Sequence, residues 1–230
     1  MDLDYALSFL LAALLSAGVI PWIVRYAHRR SLLDRPDGRK QHERAVPAMG
    51  GVAVFFAFTL TACFWLQGTS MRETLFLFPA LLILFVTGMV DDLRDLSPGR
   101  KFFFQFIAAG IVCAGGLRIR SDFGLFGIGE LDFVTSYIVT MLFITAMTNA
   151  YNLIDGVDGL LGGIALIGSA GLGLLFLQAG DGFHAALSFA LSGALAGFLR
   201  YNFHPAILFM GDTGSLLVGF LLAALGIRFF

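Results

Sequence analysis

Charge is what this chain has least of: 13% of its 230 residues are Asp, Glu, Lys or Arg, against 58% hydrophobic residues. Mean hydropathy is +0.84. This balance excludes an ordinary soluble domain, which has no use for so much apolar surface, and fits a polytopic membrane bundle. Cysteine is scarce too. Cys63 and Cys113 lie far apart in apolar runs, so neither a disulfide framework nor a zinc spacing is present. There is no Gly-rich nucleotide loop of the Walker or dinucleotide type, and any nucleotide must be held by other means. Internal repeats, low-complexity tracts and a soluble domain are also lacking, so residues 1–230 read as one integral-membrane domain. The net charge of −1 says nothing about partners; no nucleic acid is expected among them.

What is present in quantity is apolar sequence. Spans are predicted near residues 4–25, 48–67, 75–91, 102–118, 134–151, 160–178, 184–200 and 208–228. The first has Asp2 and Asp4 ahead of it and lacks a basic leader and a small-residue cleavage site. It therefore reads as a span and not as a signal peptide. Lys and Arg set the orientation. Eleven of them, including Arg25 to Arg44, Arg94, Arg100, Lys101 and Arg200, fall on one side, against Arg72, Arg118, Arg120 and Arg228 on the other. The positive-inside rule puts the N-terminus outside. The fold class is thus all-α: a polytopic transmembrane helix bundle of about eight spans in the bilayer. The Gly-rich stretch 118–133 reads as a short hairpin on the outer side.

Four polar islands interrupt this apolar chain, and the orientation puts all of them on the cytoplasmic side. Acids beside a span are expensive and usually have a partner and a task. Asp91 and Asp92 end the third span. Helical neighbours point about 100° apart, so the two do not chelate one ion symmetrically. One of them on Mg²⁺ is one reading, since that ion takes one or two carboxylates plus phosphate and water. Both acids in headgroup water, offsetting Arg94 and Arg100, is the other. Asn149, Asn152, Asp155 and Asp158 recur every third residue and make a slowly winding polar strip. Gly156 and Gly159 allow a sharp turn there. Two amides followed by two acids suit recognition of a base or sugar, or metal coordination. Asp212, in Gly-Asp-Thr-Gly-Ser, reads as a helix N-cap whose free N–H groups also suit an anion. Phe209 is core filler or a stacking platform, and Asn202 precedes His204 and Pro205. In the first basic loop Arg39, Lys40 and His42 cluster more tightly than topology requires, as phosphate holders do. His28 and His184 read as incidental.

Taken in order along the chain, these islands resemble one family, the polyprenyl-phosphate N-acetylhexosamine-1-phosphate transferases. The matching residues are Arg39, Lys40 and His42 with Pro47, Gly50 and Gly51; Asp91 and Asp92; the run from Asn149 to Gly159; and Phe209 to Ser215. The resemblance implies an enzyme of the bacterial plasma membrane with a cytoplasmic active site. It would move a sugar phosphate from a UDP-N-acetylhexosamine to undecaprenyl phosphate, releasing UMP. It implies Asp91 and Asp92 as the catalytic acidic pair and Asp212 as a ligand of Mg²⁺, with Mn²⁺ as the substitute ion. Asn149, Asn152, Asp155, Asp158 and Asn202 are implied at the nucleotide, with Phe209 stacked on uracil and Lys40 and His42 on substrate. The form of the first loop resembles the branch that uses UDP-N-acetylglucosamine. Members usually continue through further spans with a His-x-His-His cluster in a late loop. This chain is short by comparison and holds no such cluster. An ion-coupled transporter, or an inactive assembly partner of a longer transferase, are the rival readings; a homodimer is the assembly considered.

Overall fold

Buried in lipid, a backbone must satisfy its own hydrogen bonds, and an apolar run therefore folds as a helix. The computed structural model describes residues 3–30, 32, 46–65, 71–121 and 129–230 and holds eight helices among them. They are α1 (Leu3–Arg30), α2 (Gly50–Cys63), α3 (Met71–Arg94), α4 (Pro98–Ala114), α5 (Phe133–Ile154), α6 (Leu160–Gln178), α7 (Gly182–Asn202) and α8 (Asp212–Phe229). Local chemistry sets several starts. The Asp132 carboxylate accepts from the Val134 and Thr135 amides at 3.0 and 3.2 Å to open α5. Asp181 accepts from the His184 amide to open α7. Pro98, after Ser97, opens α4 with its ring already at a helical φ. Among the described residues the only β pairing is a bridge between Ser121 and Glu130. It joins the two ends of the expected hairpin; residues 122–128 lie outside the described residues.

Each expected span finds a helix, and six of the eight are long and apolar enough to cross a membrane. The other two are shorter. α2 has 14 residues and α4 has 17; at 1.5 Å per residue, 14 residues rise about 21 Å, against a hydrocarbon core of about 30 Å. The second and eighth spans were expected to begin at 48 and 208, but their helices begin at Gly50 and Asp212. Backbone hydrogen bonds tie the residues before α8 to those at the start of α2 instead. The Phe209 amide donates to the Pro47 carbonyl, the Gly50 amide to Phe209 and the Gly51 amide to Met210, at 2.8 to 2.9 Å.

The two most buried helices are α7 and α8. α7 packs against α1, α2 and α6, and α8 against α2, α3, α5 and α6, while α4 packs between α3 and α5. Their small residues let neighbours close to backbone contact, as membrane helices favour. A Cβ placed on Gly193 would lie 2.1 Å from the Phe9 carbonyl oxygen of α1. One on Gly51 would lie 2.1 Å from the Gly214 nitrogen, and one on Gly88 would lie 2.5 Å from Thr213 Cα. α2, α3 and α8 therefore meet backbone to backbone at one end of the bundle. The outer helices carry the exposed apolar side chains, among them Leu7, Leu14 and Trp22 of α1 and Ile138 and Leu142 of α5.

Candidate active site

The polar residues gather at that same end. α3 finishes with Asp91, Asp92, Leu93 and Arg94, and the chain then reverses within three residues into α4. The turn is tight enough to hold Asp95 at φ 49°, in the left-handed region that non-glycine residues seldom adopt. Asp91 steadies it. Its carbonyl accepts from the Asp95 amide at 3.0 Å and its Oδ1 from the Leu96 amide at 2.5 Å. The reversal brings Lys101, in the first turns of α4, back over the end of α3. The Lys101 ammonium touches Asp91 Oδ2 and lies 2.5 Å from Asp212 Oδ2. Asp91 Oδ2 is buried and, among the described residues, accepts no hydrogen bond beyond that contact.

Asp92 points elsewhere, as neighbours on a helix must. Its Oδ1 accepts the Asp212 amide at 2.7 Å, and its Oδ2 accepts the Thr213 amide at 3.0 Å and the Thr213 hydroxyl at 2.5 Å. The N-cap of α8, expected from its own Asp, Thr or Ser, is thus supplied by a carboxylate from α3. Gly211, the residue before α8, has φ 75° and no side chain to cap with. Asp155, just past α5, accepts the Gly211 amide at 2.7 Å. Burial pushes the Asp155 carboxyl up to about 7, with the Asp92 and Asp212 charges adding and the Gly211 N–H opposing. Asn152 donates to Asp212 Oδ1 and, at 2.9 Å, to the Ser215 hydroxyl. Asp212 is therefore held on every side: amide on Asp92, one oxygen on Asn152, the other on Lys101.

A second group fastens two loops together. Asn202, at the end of α7, accepts the Gly159 amide at 3.0 Å and donates to the Leu208 carbonyl at 2.9 Å. Asp158 Oδ2 accepts from His204 Nδ1 at 2.8 Å and from the Ala206 amide at 3.1 Å. These bonds fix the α5–α6 turn, where Gly156 and Gly159 take φ 123° and 71°, against the segment leading into α8. Asn149 lies half-buried one turn before Asn152. Phe209 is 4% exposed, so its ring is packed inside instead of standing open. Arg39, Lys40 and His42 lie outside the described residues.

The structure thus brings Asp91, Asp92, Asn152, Asp155 and Asp212 together and sets Asp158 and Asn202 beside them. Among the described residues no three or more His, Cys, Asp or Glu side chains converge on one point. Two do, since Asp91 and Asp212 share a cation, the Lys101 ammonium. Two carboxylates, with phosphate and water completing the shell, is a donor set that Mg²⁺ takes, so the chemistry of these residues fits the ion. Sequence reasoning passed over Lys101, because the positive-inside rule already explained its charge. The signal was its place within the first turns of a helix, where a cation opposes the dipole and needs an acid to hold it. Thr213, Ser215 and His204 also gained partners that no spacing rule foretold.

Comparison with known proteins supplies the family. The chain is 35% identical over 228 residues to a probable undecaprenyl-phosphate N-acetylglucosaminyl 1-phosphate transferase of Bacillus subtilis, covering 96% of this chain and 62% of that protein. It is 33% identical to an undecaprenyl-phosphate alpha-N-acetylglucosaminyl 1-phosphate transferase of Yersinia pestis, over 85% and 55% of the two chains. A phospho-N-acetylmuramoyl-pentapeptide-transferase of Oceanobacillus iheyensis is 31% identical, over 96% and 72%. The chain spans about three-fifths of the length of the first two. The profile named Glycosyl transferase family 4 matches residues 73–230. The chain belongs to glycosyl transferase family 4, the polyprenyl-phosphate N-acetylhexosamine-1-phosphate transferases that its islands resemble.

Proposed function

We propose that this chain carries out Mg²⁺-dependent transfer of an N-acetylhexosamine 1-phosphate, GlcNAc 1-phosphate in the first instance, from a UDP-sugar to undecaprenyl phosphate. The reaction takes place at the cytoplasmic face of a bacterial plasma membrane and releases UMP. The observation that carries this reading is that Asp91 and Asp212, from the end of α3 and the start of α8, meet on one cation. Family membership and the names of the B. subtilis and Y. pestis relatives support it. The rival reading as an ion-coupled carrier loses support from the same geometry. Carriers hold such groups near the bilayer midplane on broken helices, whereas these acids stand at helix ends.

Asp91 and Asp212 would hold the ion, which when bound draws charge from the pyrophosphate of the donor. The lipid phosphate oxygen attacks the phosphorus that carries the sugar, forming one P–O bond as the bond to the UMP oxygen breaks. No bond at the sugar carbon changes, so the anomeric configuration is kept. A phosphomonoester has a second pKa of about 6, so the nucleophile is already largely ionised and no strong base is required. Asp91 orients it, in a single displacement whose catalysis is mostly positioning and charge neutralisation. Asp92 and Asp155 hold the backbone that presents Asp212. Asn149, Asn152, Asp158 and Asn202 shape the nucleotide end, and Lys40 and His42 hold phosphate; Phe209, packed inside, backs the site and does not offer the stacking face that the resemblance implies for uracil. The test gives purified protein UDP-N-acetylglucosamine, Mg²⁺ and undecaprenyl phosphate and follows UMP. Release that needs both the lipid and the metal is expected; release indifferent to the lipid phosphate overturns the reading.

A further inference from the structure

We propose that Lys101 is a resident counter-ion which occupies the metal position between Asp91 and Asp212 and must be displaced before a divalent ion can bind. The inference rests on the metal reading just given and adds an exchange step to it. Three observations carry it. First, the ammonium touches both carboxylates that would hold the ion, on Asp91 Oδ2 and Asp212 Oδ2. A divalent ion held by those oxygens at Mg²⁺ distances, about 2.1 Å, leaves no room for the ammonium between them. Second, the Asp91 side chain is only 3% exposed. Two close carboxylates without a cation repel each other, and burial adds to the penalty. A positive charge between them therefore stabilises the ionised pair, with or without metal. Third, the residue is lysine. Of the fifteen Lys and Arg residues only Lys40 and Lys101 are lysine. An ammonium is a compact point charge on a flexible stem, whereas a guanidinium is a planar fork suited to staying in place. The stem leaves from α4, which contributes no carboxylate to the pair, so the ammonium can withdraw without moving α3 or α8.

Metal uptake is then an exchange: the divalent ion enters, the ammonium leaves, and the net charge on the two carboxylates goes from −1 to 0. Wild-type affinity is accordingly set below what two free carboxylates would give. The test uses the full chain in detergent and Mn²⁺, whose free-ion electron paramagnetic resonance signal falls on binding. Lys101→Met should bind Mn²⁺ roughly tenfold or more tightly than wild type, because the competing charge is gone. A merely structural lysine would lower affinity when removed. The second arm uses wild-type protein only, so it survives a variant that fails to fold. An amine-acylating reagent and mass spectrometry compare Lys101 with Lys40 as the in-chain reference. Mn²⁺ should raise acylation of Lys101 severalfold relative to Lys40. Unchanged or weaker Mn²⁺ binding in the variant, or acylation of Lys101 that Mn²⁺ leaves alone, overturns the exchange while leaving the metal reading in place. If neither protein takes up Mn²⁺, the metal reading falls and the exchange with it.

Discussion

Asp92 uses both carboxylate oxygens on the first turn of α8, which makes it the residue whose loss should be felt through another. Asp92→Ala leaves the Asp212 and Thr213 amides without their acceptor. A melting curve in detergent should show a loss of about 1–3 kcal/mol, the usual penalty for a stripped buried partner. Mg²⁺-dependent UMP release should fall as well, because Asp212 is no longer held by its amide. Asp212→Asn differs: it should abolish Mg²⁺-dependent turnover while leaving the melting curve close to wild type. Unchanged turnover would refute its role as a ligand. Asn202→Ala strips the Gly159 amide and the Leu208 carbonyl, and about 1–3 kcal/mol should go by the same measurement. Part of this was legible in the sequence. Adjacent acids on a helix diverge, and Asp91 and Asp92 do; one faces a lysine and the other a helix start. Which partner each meets depends on residues 10 and 120 positions away, and no local spacing carries that.

At the scale of elements, close helix contacts decide where the polar ends meet. Gly51→Ala would drive a methyl into the Gly214 backbone, and Gly193→Ala would drive one into the Phe9 carbonyl. Each should lower stability by about 1–3 kcal/mol, as overpacking does. Only the first should also weaken Mn²⁺ binding, because α8 begins at Asp212, whereas Gly193 contacts α1. Equal effects of the two on Mn²⁺ would deny that the α2–α8 contact positions the metal residues. Away from the site, Asp181 joins the turn before α7 to the end of α8. It accepts from His184 Nδ1 at 2.8 Å and lies 3.5 Å from an Arg228 nitrogen. Partial burial works to raise its carboxyl, but the His184 hydrogen bonds and the His184 and Arg228 charges outweigh it and hold it below the ordinary value of 3.8. A depressed carboxyl stabilises the fold above its unfolded pKa and loses that contribution as pH falls through the folded one. Asp181→Asn should therefore melt earlier than wild type at neutral pH, and the gap should close as pH is taken down below 3.8. A gap that widens on acidification would be the wrong sign.

For the molecule as a whole the testable feature is the compartment that the polar end faces. The count of Lys and Arg predicts the cytoplasm, as the proposed function requires. With Cys63, which is exposed, changed to Ser, a cysteine at Ser97 should react with an impermeant maleimide only in inside-out vesicles. A cysteine at Glu130, beside the bridge to Ser121, should react only in right-side-out ones. The reverse pattern would turn the molecule over and remove the cytoplasmic UDP-sugar from the proposal.

By itself the sequence determined the solvent and the secondary structure. Apolar runs of bilayer length leave the backbone no choice but helix, and the polar islands had to lie at helix ends because no charge rests unpaired in lipid. It did not determine that residues 207–210, as apolar as the helix after them, stay outside that helix, with Phe209 and Met210 bonded through their backbones to Pro47, Gly50 and Gly51; hydropathy is blind to that difference. Nor did it reveal that α7 and α8 are the interior, since burial against protein and against lipid both select apolar side chains. Only the tertiary structure decided that Lys101 belongs with Asp91 and Asp212. Electrostatic partners are chosen by distance in space, and three residues on three helices acquire that distance only when the helices pack.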